Sequence, residues 1–214
     1  MNKFHYNYLT KIKAKLKKFR KFNALNQLDK KMLDYINFSD GFFIECGAND
    51  GINQSNTWYF EKYLNWSGVL IEPLEDKFKD LKKNRSNRNY FYNVALSDST
   101  DTKSINILRN NLESKVVDKL NKDINVSIFQ STTLTKILEE ISAPKLIDFF
   151  SLDVEGFEEQ VIKGIDFKKY NFRYLLVETK NDKVIKFLKT KNYGLVKKMS
   201  YHDFLFKYEN ELSS

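Results

Sequence analysis

The stretch from Phe42 to Gly51 constrains the fold of this chain more than any other. An apolar run ends at Glu45, a short loop with Gly47 and Gly51 follows, and the pattern over Ile52–Leu64 then predicts a helix. A strand, a tight glycine turn and the opening of a helix, in that order, are how α/β folds hold nucleotide-like ligands. The loop therefore predicts an α/β domain with a ligand site at this turn.

The spacing of this loop separates it from two common phosphate-binding signatures. It reads Glu-x-Gly-x-Asn-x-Gly, which is neither the Gly-x-Gly-x-x-Gly of dinucleotide sites nor a P-loop, since no Gly-Lys-Ser/Thr follows. Glycine adopts positive φ without strain, and Asn49 is of the residue type that tolerates it next best. An acid before the loop favours a positively charged cofactor without phosphate, and S-adenosylmethionine (SAM) fits that description. An ordinary strand-to-helix turn is the alternative.

A second acid ends the next apolar run. Val69–Ile71 is followed by Glu72 and Pro73, and a proline can neither donate to a sheet ladder nor extend the strand. Glu72 falls 21 residues after Gly51, and in nucleoside-binding α/β folds an acid at the end of the second strand takes the ribose hydroxyls. We expect Glu72 to bind a ribose; a surface acid at a strand end is the alternative.

The third predicted strand, Tyr90–Leu96, would end beside the adenine ring of such a cofactor. By position, Asn93, Ala95 and Asp98 become candidate neighbours of that ring. The segment 102–130 is less regular, with strand-like runs at 105–107 and 126–129. An insertion of this kind can cover a site and carry substrate specificity.

Further acids follow the fourth and fifth predicted strands. Leu146–Leu152 runs directly into Asp153 and Glu155, and Phe172–Val177 ends at Glu178. If the strand continues, its alternation directs Asp153 and Glu155 to the same side. Converging carboxylates can bind an ammonium group or a metal, or take a proton. Capping of the next helix is the alternative, because acids near a helix N-terminus are themselves stabilising.

The remaining pattern completes an α/β fold with a mainly parallel sheet, helices on both faces and an antiparallel last strand. The further predicted helices are Leu25–Ile36, Leu74–Lys83, Leu134–Ile141 and Asp182–Lys189, and the closing strands are Tyr193–Val196 and Phe204–Phe206. A turn at Ser39–Gly41 separates a helical extension, residues 1–38, from the domain proper, residues 39–214.

The positive charge of the chain belongs to its first residues. Residues 1–31 hold ten Lys or Arg and one acid, whereas the rest holds 26 basic and 27 acidic residues. Apolar residues recur at helical spacing within 9–22, so this arm either packs on the body, binds an anionic membrane surface, or holds nucleic acid. Nucleic acid is disfavoured because the body adds no net basic charge.

Cysteine use and hydropathy give expectations about the cellular setting. The single cysteine, Cys46, precludes an internal disulfide, and its place at a strand end favours a buried thiol over a nucleophile. No apolar run reaches the ~18 residues of a membrane span, and the first twenty residues lack the apolar core of a signal peptide. We expect a cytoplasmic protein, with peripheral membrane attachment through the arm as an option.

Four blocks in fixed order give the chain a family resemblance. They are Ile44–Gly51, Trp66–Pro73, Asn93–Asp98 and Asp148–Glu158. Together they resemble the FkbM family of SAM-dependent methyltransferases, over about Phe42 to Glu178. The resemblance implies a class I methyltransferase fold with a seven-stranded sheet, SAM as cofactor with S-adenosylhomocysteine as product, and methyl transfer, usually to an oxygen of a sugar or natural product.

The resemblance also implies roles for particular residues. The first block and its helix would surround the methionine part of SAM through Glu45, Gly47, Ala48, Asn49, Gly51 and Ser55. Glu72 would hold the ribose, and Asp98 or its neighbours would hold the adenine. Asp153 and Glu155 would lie near the transferred methyl group. The arm and the segment 102–130 lie outside the shared blocks, so neither their roles nor the acceptor follow from the family.

The working hypothesis is methyl transfer to a hydroxyl of a sugar, glycan or related small metabolite. Its proton must leave as the bond forms, so a base or a metal is needed; Asp153 is the first candidate, followed by Glu155 and Glu178. His202 is a further candidate by residue type. A metal is disfavoured because no His/Asp motif of fixed spacing is present. An RNA or protein methyltransferase that uses the arm, and a non-catalytic SAM-fold subunit, remain alternatives.

Overall fold

The computed structural model describes residues 21–99, 105–108, 115–116 and 126–209. The strands are β1 Phe42–Cys46, β2 Ser67–Ile71, β3 Tyr90–Tyr92, β4 Ala95–Leu96, β5 Ile105–Leu108, β6 Lys115–Val116, β7 Val126–Phe129, β8 Ser131–Thr132, β9 Leu146–Leu152, β10 Asn171–Glu178, β11 Tyr193–Lys198 and β12 Asp203–Tyr208. The α-helices are α1 Leu28–Met32, α2 Trp58–Leu64, α3 Glu75–Asn84, α4 Leu134–Glu140, α5 Glu158–Lys163 and α6 Asp182–Lys189. A 3₁₀ turn, Leu25–Gln27, precedes α1.

The central sheet has the strand order β11-β12-β10-β9-β1-β2-β3. Its pairs are parallel except those of β12, which runs antiparallel to β10 and β11. The strand order reverses beside β1, and ligands of open α/β sheets bind at such a point, outside the carboxyl ends of the strands. The predicted sheet with an antiparallel last strand is confirmed.

Helices cover both faces of this sheet because its central strands are apolar on both sides. In β1 and β9, Ile44 and Phe150 face one layer, whereas Phe43 and Phe149 face the other, and all four are fully buried. The first layer packs against α4, α5 and α6, and the second against α1, α2 and α3. This two-sided burial is typical of parallel sheets and explains the near-continuous apolar runs of the sequence.

The helix predicted over Ile52–Leu64 is shorter in the structure. It begins only at Trp58, because Asp50 accepts the backbone N–H groups of Ile52 (3.0 Å) and Asn53 (2.7 Å) and closes a turn instead. Short polar side chains offer the backbone such alternatives to a helix. The loop between β1 and α2 is therefore longer than expected.

The helix predicted over Leu25–Ile36 is also much shorter in the structure. Only a 3₁₀ turn and the five residues of α1 form, because the Asp29 carboxylate accepts the N–H groups of Asn23 (2.7 Å) and Ala24 (3.2 Å) and folds the chain back. Phe22 stacks on Tyr59 with ring centroids 4.8 Å apart. The predicted arm helix lies mostly in residues 1–20, outside the described residues.

The third predicted strand is split into two. β3 pairs with β2, but β4 pairs with β8 instead, because the Asn93 side chain between them donates to the carbonyls of Glu72 (2.9 Å) and Pro73 (2.8 Å). The strand-like runs of the segment 102–130 are confirmed as β5 and β7, which pair antiparallel in a small sheet with β6. The other residues of that segment up to 125 lie outside the described part.

In the described part of the chain, no helix has both the length and the apolar character needed to cross a bilayer.

Gly68 is the point where β1 and β2 approach too closely for a side chain. A Cβ there would overlap the backbone carbonyl of Phe43, which cannot move without breaking the ladder. We expect Gly68→Ala to lower the free energy of unfolding by about 1–3 kcal/mol or more, measured by urea titration. In the control, Gly194→Ala, the added methyl meets only the mobile carboxylate of Glu209, so the change should stay within about 0.5 kcal/mol. Equal effects of the two variants would contradict this view of the β1–β2 contact.

Candidate active site

A buried arginine holds the loop that follows β1. Arg85, at the end of α3, places its guanidinium 3.1 Å from Glu45 Oε2 and 2.7 Å from Glu61 Oε2, and its side chain has no exposed surface. It also donates to the carbonyl of Gly51 (3.2 Å) and the hydroxyl of Thr57 (2.9 Å). One cation therefore joins β1, the loop, α2 and α3.

The Glu45 carboxylate is fully engaged in this network. Besides Arg85, it accepts the Ser55 hydroxyl (2.9 Å), the Asn56 N–H (2.7 Å) and the Thr57 hydroxyl (2.6 Å). Every partner lies on the α2 side of β1, so the structure places Glu45 as a clamp on the loop. Glu45 is not among the residues that line the cleft described below, and its contact with the methionine part of a cofactor stays a prediction.

We expect removal of this cation to be costly. Arg85→Met should lower the free energy of unfolding by about 3–5 kcal/mol, because it leaves two buried carboxylates without a compensating cation. Denaturant titration measures the effect. Arg88→Met is the matched control, since Arg88 is an exposed arginine bonded to Asn65, and its change should stay within about 0.5 kcal/mol. A loss at Arg85 no larger than at Arg88 would show that the network does not hold the loop.

The first turn of the loop is pressed between two strand ends. Gly47 has φ +83°, and a Cβ there would overlap the carbonyl oxygen of Asp153. The N–H groups of Gly47 and Ala48 both donate to the Ile71 carbonyl at 3.1 Å, and the Asp153 N–H donates to the Cys46 carbonyl at 3.1 Å. The ends of β1, β2 and β9 thus approach one another so closely at Gly47 that no side chain fits at this position.

Glu72 is held by the backbone rather than by a cation. Its Oε2 accepts the Asn49 N–H (2.8 Å), and its Oε1 accepts the Leu74 N–H (2.9 Å). Burial raises the pKa of Glu72 to about 7, although these two bonds and the charge of Lys77 act in the opposite direction. Each oxygen keeps a lone pair that can accept a further donor.

Asn49 supports the same position from the loop. It has φ +47°, as its residue type allows, and its side-chain Oδ1 is buried without a hydrogen-bond partner among the described residues. A buried acceptor without a partner costs about 1–3 kcal/mol, so such an atom calls for a ligand.

The raised pKa of Glu72 gives a stability signature. Between about pH 4.5 and about pH 7 the folded chain keeps a proton that the unfolded chain has released, so the unfolding free energy falls as the pH rises. Glu72→Gln removes this titration. We expect the variant to gain about 1–3 kcal/mol relative to the original chain across that window, measured by denaturant titration at several pH values.

Glu75→Gln is the control for this experiment, because Glu75 is an exposed acid of α3 paired with Lys79. Its difference from the original chain should not vary with pH across the window. Parallel pH profiles for Glu72→Gln and the original chain would mean that Glu72 titrates as an ordinary carboxyl.

These elements enclose a cleft, here called the inner cleft, of about 940 Å³ including its open side. Four parts of the chain line it. They are residues 46–49 and 53–55, residues 71–74 and Lys77, residues 94–96, and residues 153–155 and Phe157. One end is polar, with Asn49, Glu72 and Asp153, and the other is apolar, with Leu74, Val94 and Phe157 among its residues. A mostly apolar cleft with few convergent polar groups is the usual form of a small-molecule site.

Acids gather where the inner cleft meets β10. The side chains of Asp153 and Glu178 lie within hydrogen-bond reach, and Asp203 pairs with Glu178 in the β10–β12 ladder. Burial, followed by the charges of Glu178 and Glu155, raises the pKa of Asp153 well above its usual range. Burial and Asp203 also raise the pKa of Glu178. Two adjacent carboxyls that cannot both ionise easily share a proton.

Asp153 is the member of this cluster that faces the cleft. Its Oδ1 is buried and has no hydrogen-bond partner among the described residues. Glu155 also lines the cleft and adopts φ +52°. His202 is half-buried in the β11–β12 turn; burial raises the pKa of both Glu178 and Asp203, and the charge of His202 only partly opposes that rise. The described residues contain no group of three or more His, Cys, Asp or Glu side chains placed to hold a metal.

The structure brings most predicted site residues to the inner cleft. Those that line it are Gly47, Ala48, Asn49, Ser55, Glu72, Ala95, Asp153 and Glu155. Glu45 and Gly51 lie behind the loop, against Arg85. Glu178 lies behind Asp153. These placements leave the proposed contacts with a cofactor as predictions.

Two predicted adenine neighbours are not on the wall of the cleft. Asn93 is turned back onto the Glu72 and Pro73 carbonyls, and Asp98 is exposed, where its oxygen accepts the Ser97 hydroxyl at 3.2 Å. The wall there consists of Ala95, the third predicted neighbour, with Val94 and Leu96. The break between β3 and β4 explains the difference, because it changes the direction in which successive side chains point.

Sequence reasoning missed Arg85, Lys77 and Phe157. Arg85 resembles its basic neighbours in the sequence, and only the buried carboxylates around it distinguish it. Cys46 is as expected a buried thiol, 3% exposed, and burial followed by the charge of Glu72 raises its pKa well above the usual value. It therefore remains a neutral thiol.

The strand order, the antiparallel last strand and the cleft at the carboxyl ends of β1, β2 and β9 define the class I methyltransferase fold. The crystal structure of methyltransferase FkbM from Methylobacillus flagellatus KT shares this fold with a TM-score of 0.50 and 16% identity, over 82% of this chain and 45% of that one. The family model of the methyltransferase FkbM domain matches residues 45–205. The chain belongs to this family, and it spans less than half of that crystallised member.

Two other solved structures are similar at a lower level. The METTL16 methyltransferase domain has a TM-score of 0.48 and 12% identity, over 85% of this chain and 65% of that one. The precorrin-6y C5,15-methyltransferase from Geobacter metallireducens GS-15 has a TM-score of 0.46 and 11% identity, over 88% of this chain and 94% of that one. None of the curated proteins matches the chain.

Proposed function

We propose that this chain binds SAM in the inner cleft and methylates a hydroxyl of a sugar, glycan or related small metabolite. The observation that carries the proposal is Asp153, a carboxyl with a raised pKa and a buried oxygen without a partner, at the wall of that cleft. Perturbed acids in a cleft are typical of catalytic sites.

The residues of the inner cleft fit SAM. Glu72 can accept both ribose hydroxyls, because each of its oxygens makes only one hydrogen bond to the backbone. The free Oδ1 atoms of Asn49 and Asp153 are acceptors for an ammonium group. Val94 to Leu96 and Phe157 give the apolar wall that an adenine ring requires. When bound there, SAM supplies an electrophilic methyl group.

The chain's own contribution is to take a proton and to orient the acceptor. An acceptor hydroxyl that is methylated must lose its proton, and the Asp153 carboxylate would take that proton. Burial and the acids around it raise the pKa of Asp153, which brings its basicity closer to that needed near neutral pH. Glu178 holds the Asp153 carboxyl in place and shares its proton.

The same pairing sets the direction of the pH dependence. Asp153 must be ionised to accept a proton, and its pKa is raised by burial and by Glu178. Turnover should therefore rise with pH through the range in which this pair loses its proton.

The test of the reaction follows label from SAM into fractions of a cell lysate. We expect methyl label in the carbohydrate and small-metabolite fraction, resistant to ribonuclease and protease. Label confined to RNA or protein would show a different substrate class, and SAM binding by calorimetry without any transfer would show a non-catalytic subunit.

Asp153→Asn tests the proposed base. It keeps the size of the side chain but cannot accept the proton, so kcat should fall by about 100-fold or more. Affinity for SAM, measured by calorimetry, should fall much less than kcat, because the Asn side chain keeps an oxygen that can accept from the ammonium group. Asp80→Asn is the control, because Asp80 is an exposed acid of α3 paired with Lys83, and it should leave kcat unchanged. Normal turnover of Asp153→Asn, with normal SAM binding, would remove Asp153 from the mechanism.

A further inference from the structure

A second depression, here called the outer cleft, adjoins the inner cleft and encloses about 1230 Å³ including its open side. The segment 23–27 with Lys31 lines it, together with Ser200 and Tyr201 in the β11–β12 turn. Asn53 and Gln54 line both clefts. A molecule in the outer cleft would therefore lie beside whatever occupies the inner one.

The outer cleft is lined mainly by neutral hydrogen-bonding groups. The side-chain amides of Asn26, Gln27 and Gln54 are exposed and make no hydrogen bond among the described residues. Each amide offers two donors and an acceptor, which match the hydroxyls of a sugar. Tyr201 is 79% exposed and presents an aromatic ring at the rim.

The backbone of the same residues is held in an unfavourable conformation. Of the nine non-glycine residues with positive φ in the described part, three line the outer cleft: Asn26 (53°), Gln27 (56°) and Gln54 (63°). Such conformations cost free energy and persist where the surroundings impose them, often at ligand sites. Here a backbone bridge joins Ala24 to Gln54, and Asp29 binds the N–H groups of Asn23 and Ala24.

The outer cleft is connected to the proposed base through the β11–β12 turn. The Ser200 hydroxyl in its wall donates to Asp203, which lies opposite Glu178 in the β10–β12 ladder. Glu178 in turn lies against Asp153, which faces the inner cleft. A series of contacts through these acids thus connects Ser200 in the outer cleft with Asp153 in the inner cleft.

Charge argues against a polyanion in the outer cleft. Lys31 is the basic residue of its described lining, and its Nζ already donates to the Met199 carbonyl at 2.8 Å. Binding of nucleic acid depends on several basic contacts with phosphates. A second ammonium group, the Lys198 Nζ, lies 5.2 Å from the centroid of the Tyr201 ring and occupies one of its faces. The neutral amides and the other face of that ring favour an uncharged, polyhydroxylated ligand.

We propose that the outer cleft is the acceptor subsite and binds a neutral sugar ring against Tyr201, with its hydroxyls on the amides of Asn26, Gln27 and Gln54. This inference rests on the proposed function, because it places the acceptor of that reaction. The segment 23–27 then determines which acceptor is used, although it lies outside the strands that form the inner cleft.

Saturation-transfer NMR on the full chain tests the proposal without knowledge of the natural acceptor. The probes are the methyl glycosides of glucose, galactose, mannose, fucose and rhamnose, with and without SAM. We expect transfer from the protein to the ring protons of at least one glycoside. Tyr201→Ala should weaken that binding by about three- to tenfold, because it removes the stacking surface.

Two further variants separate stacking from general damage. Tyr201→Phe keeps the ring and should retain most of the binding. Tyr90→Ala removes an exposed tyrosine on the edge strand β3 and should bind like the original chain. Gln27→Ala, at a residue that lines only the outer cleft, should also weaken binding, while SAM affinity by calorimetry stays unchanged for all of these variants.

Each outcome bears on one proposal or the other. Absence of transfer to every glycoside, or binding that Tyr201→Ala does not alter, overturns the acceptor subsite even if label from SAM enters carbohydrate. Glycoside binding that depends on Tyr201, in a chain that transfers no label from SAM, supports the subsite and overturns the proposed function.

Discussion

The burial of Arg85 between Glu45 and Glu61 is the interaction on which the rest of the site depends. Its guanidinium has no exposed surface and bonds to groups on β1, the following loop and α2. A buried ion pair is weak evidence for net stability, because desolvation offsets its attraction. Its consequence here is geometrical: the loop from Asp50 to Thr57 is held from behind, and its other side is left to form walls of both clefts.

Acids at neighbouring strand ends have opposite environments. The charge of Glu45 is compensated by Arg85. Asp153 lies two residues beyond Ser151, the partner of Glu45 in β9. It lies beside Glu178 and forms no salt bridge in the described part of the chain. A structural acid would be expected to resemble Glu45, since an uncompensated buried carboxyl destabilises the fold. That the fold retains Asp153 among other acids is the strongest physical sign of a proton-transfer role.

The sequence predicts what depends on local pattern and misses what depends on distant partners. The apolar runs give the central strands, and Glu72 is correctly placed because a strand end and a proline define it. Arg85 is not predictable, since Lys82 and Lys83 beside it look the same and remain exposed. The start of α2 is mispredicted for a related reason: the hydroxyls of Ser55 and Thr57 donate to the Glu45 carboxylate, which holds the chain before Trp58 in a loop.

The two clefts differ in what builds them, and this difference has a functional consequence. The inner cleft is formed largely at the ends of parallel strands, whose positions are fixed by the sheet register. The outer cleft takes its walls from the segment 23–27 and the β11–β12 turn, where sequence can vary without disturbing that register. Because Asn53 and Gln54 belong to both, the loop held by Arg85 fixes the position of one cleft relative to the other. A fold of this kind can change its acceptor while it retains its methyl donor.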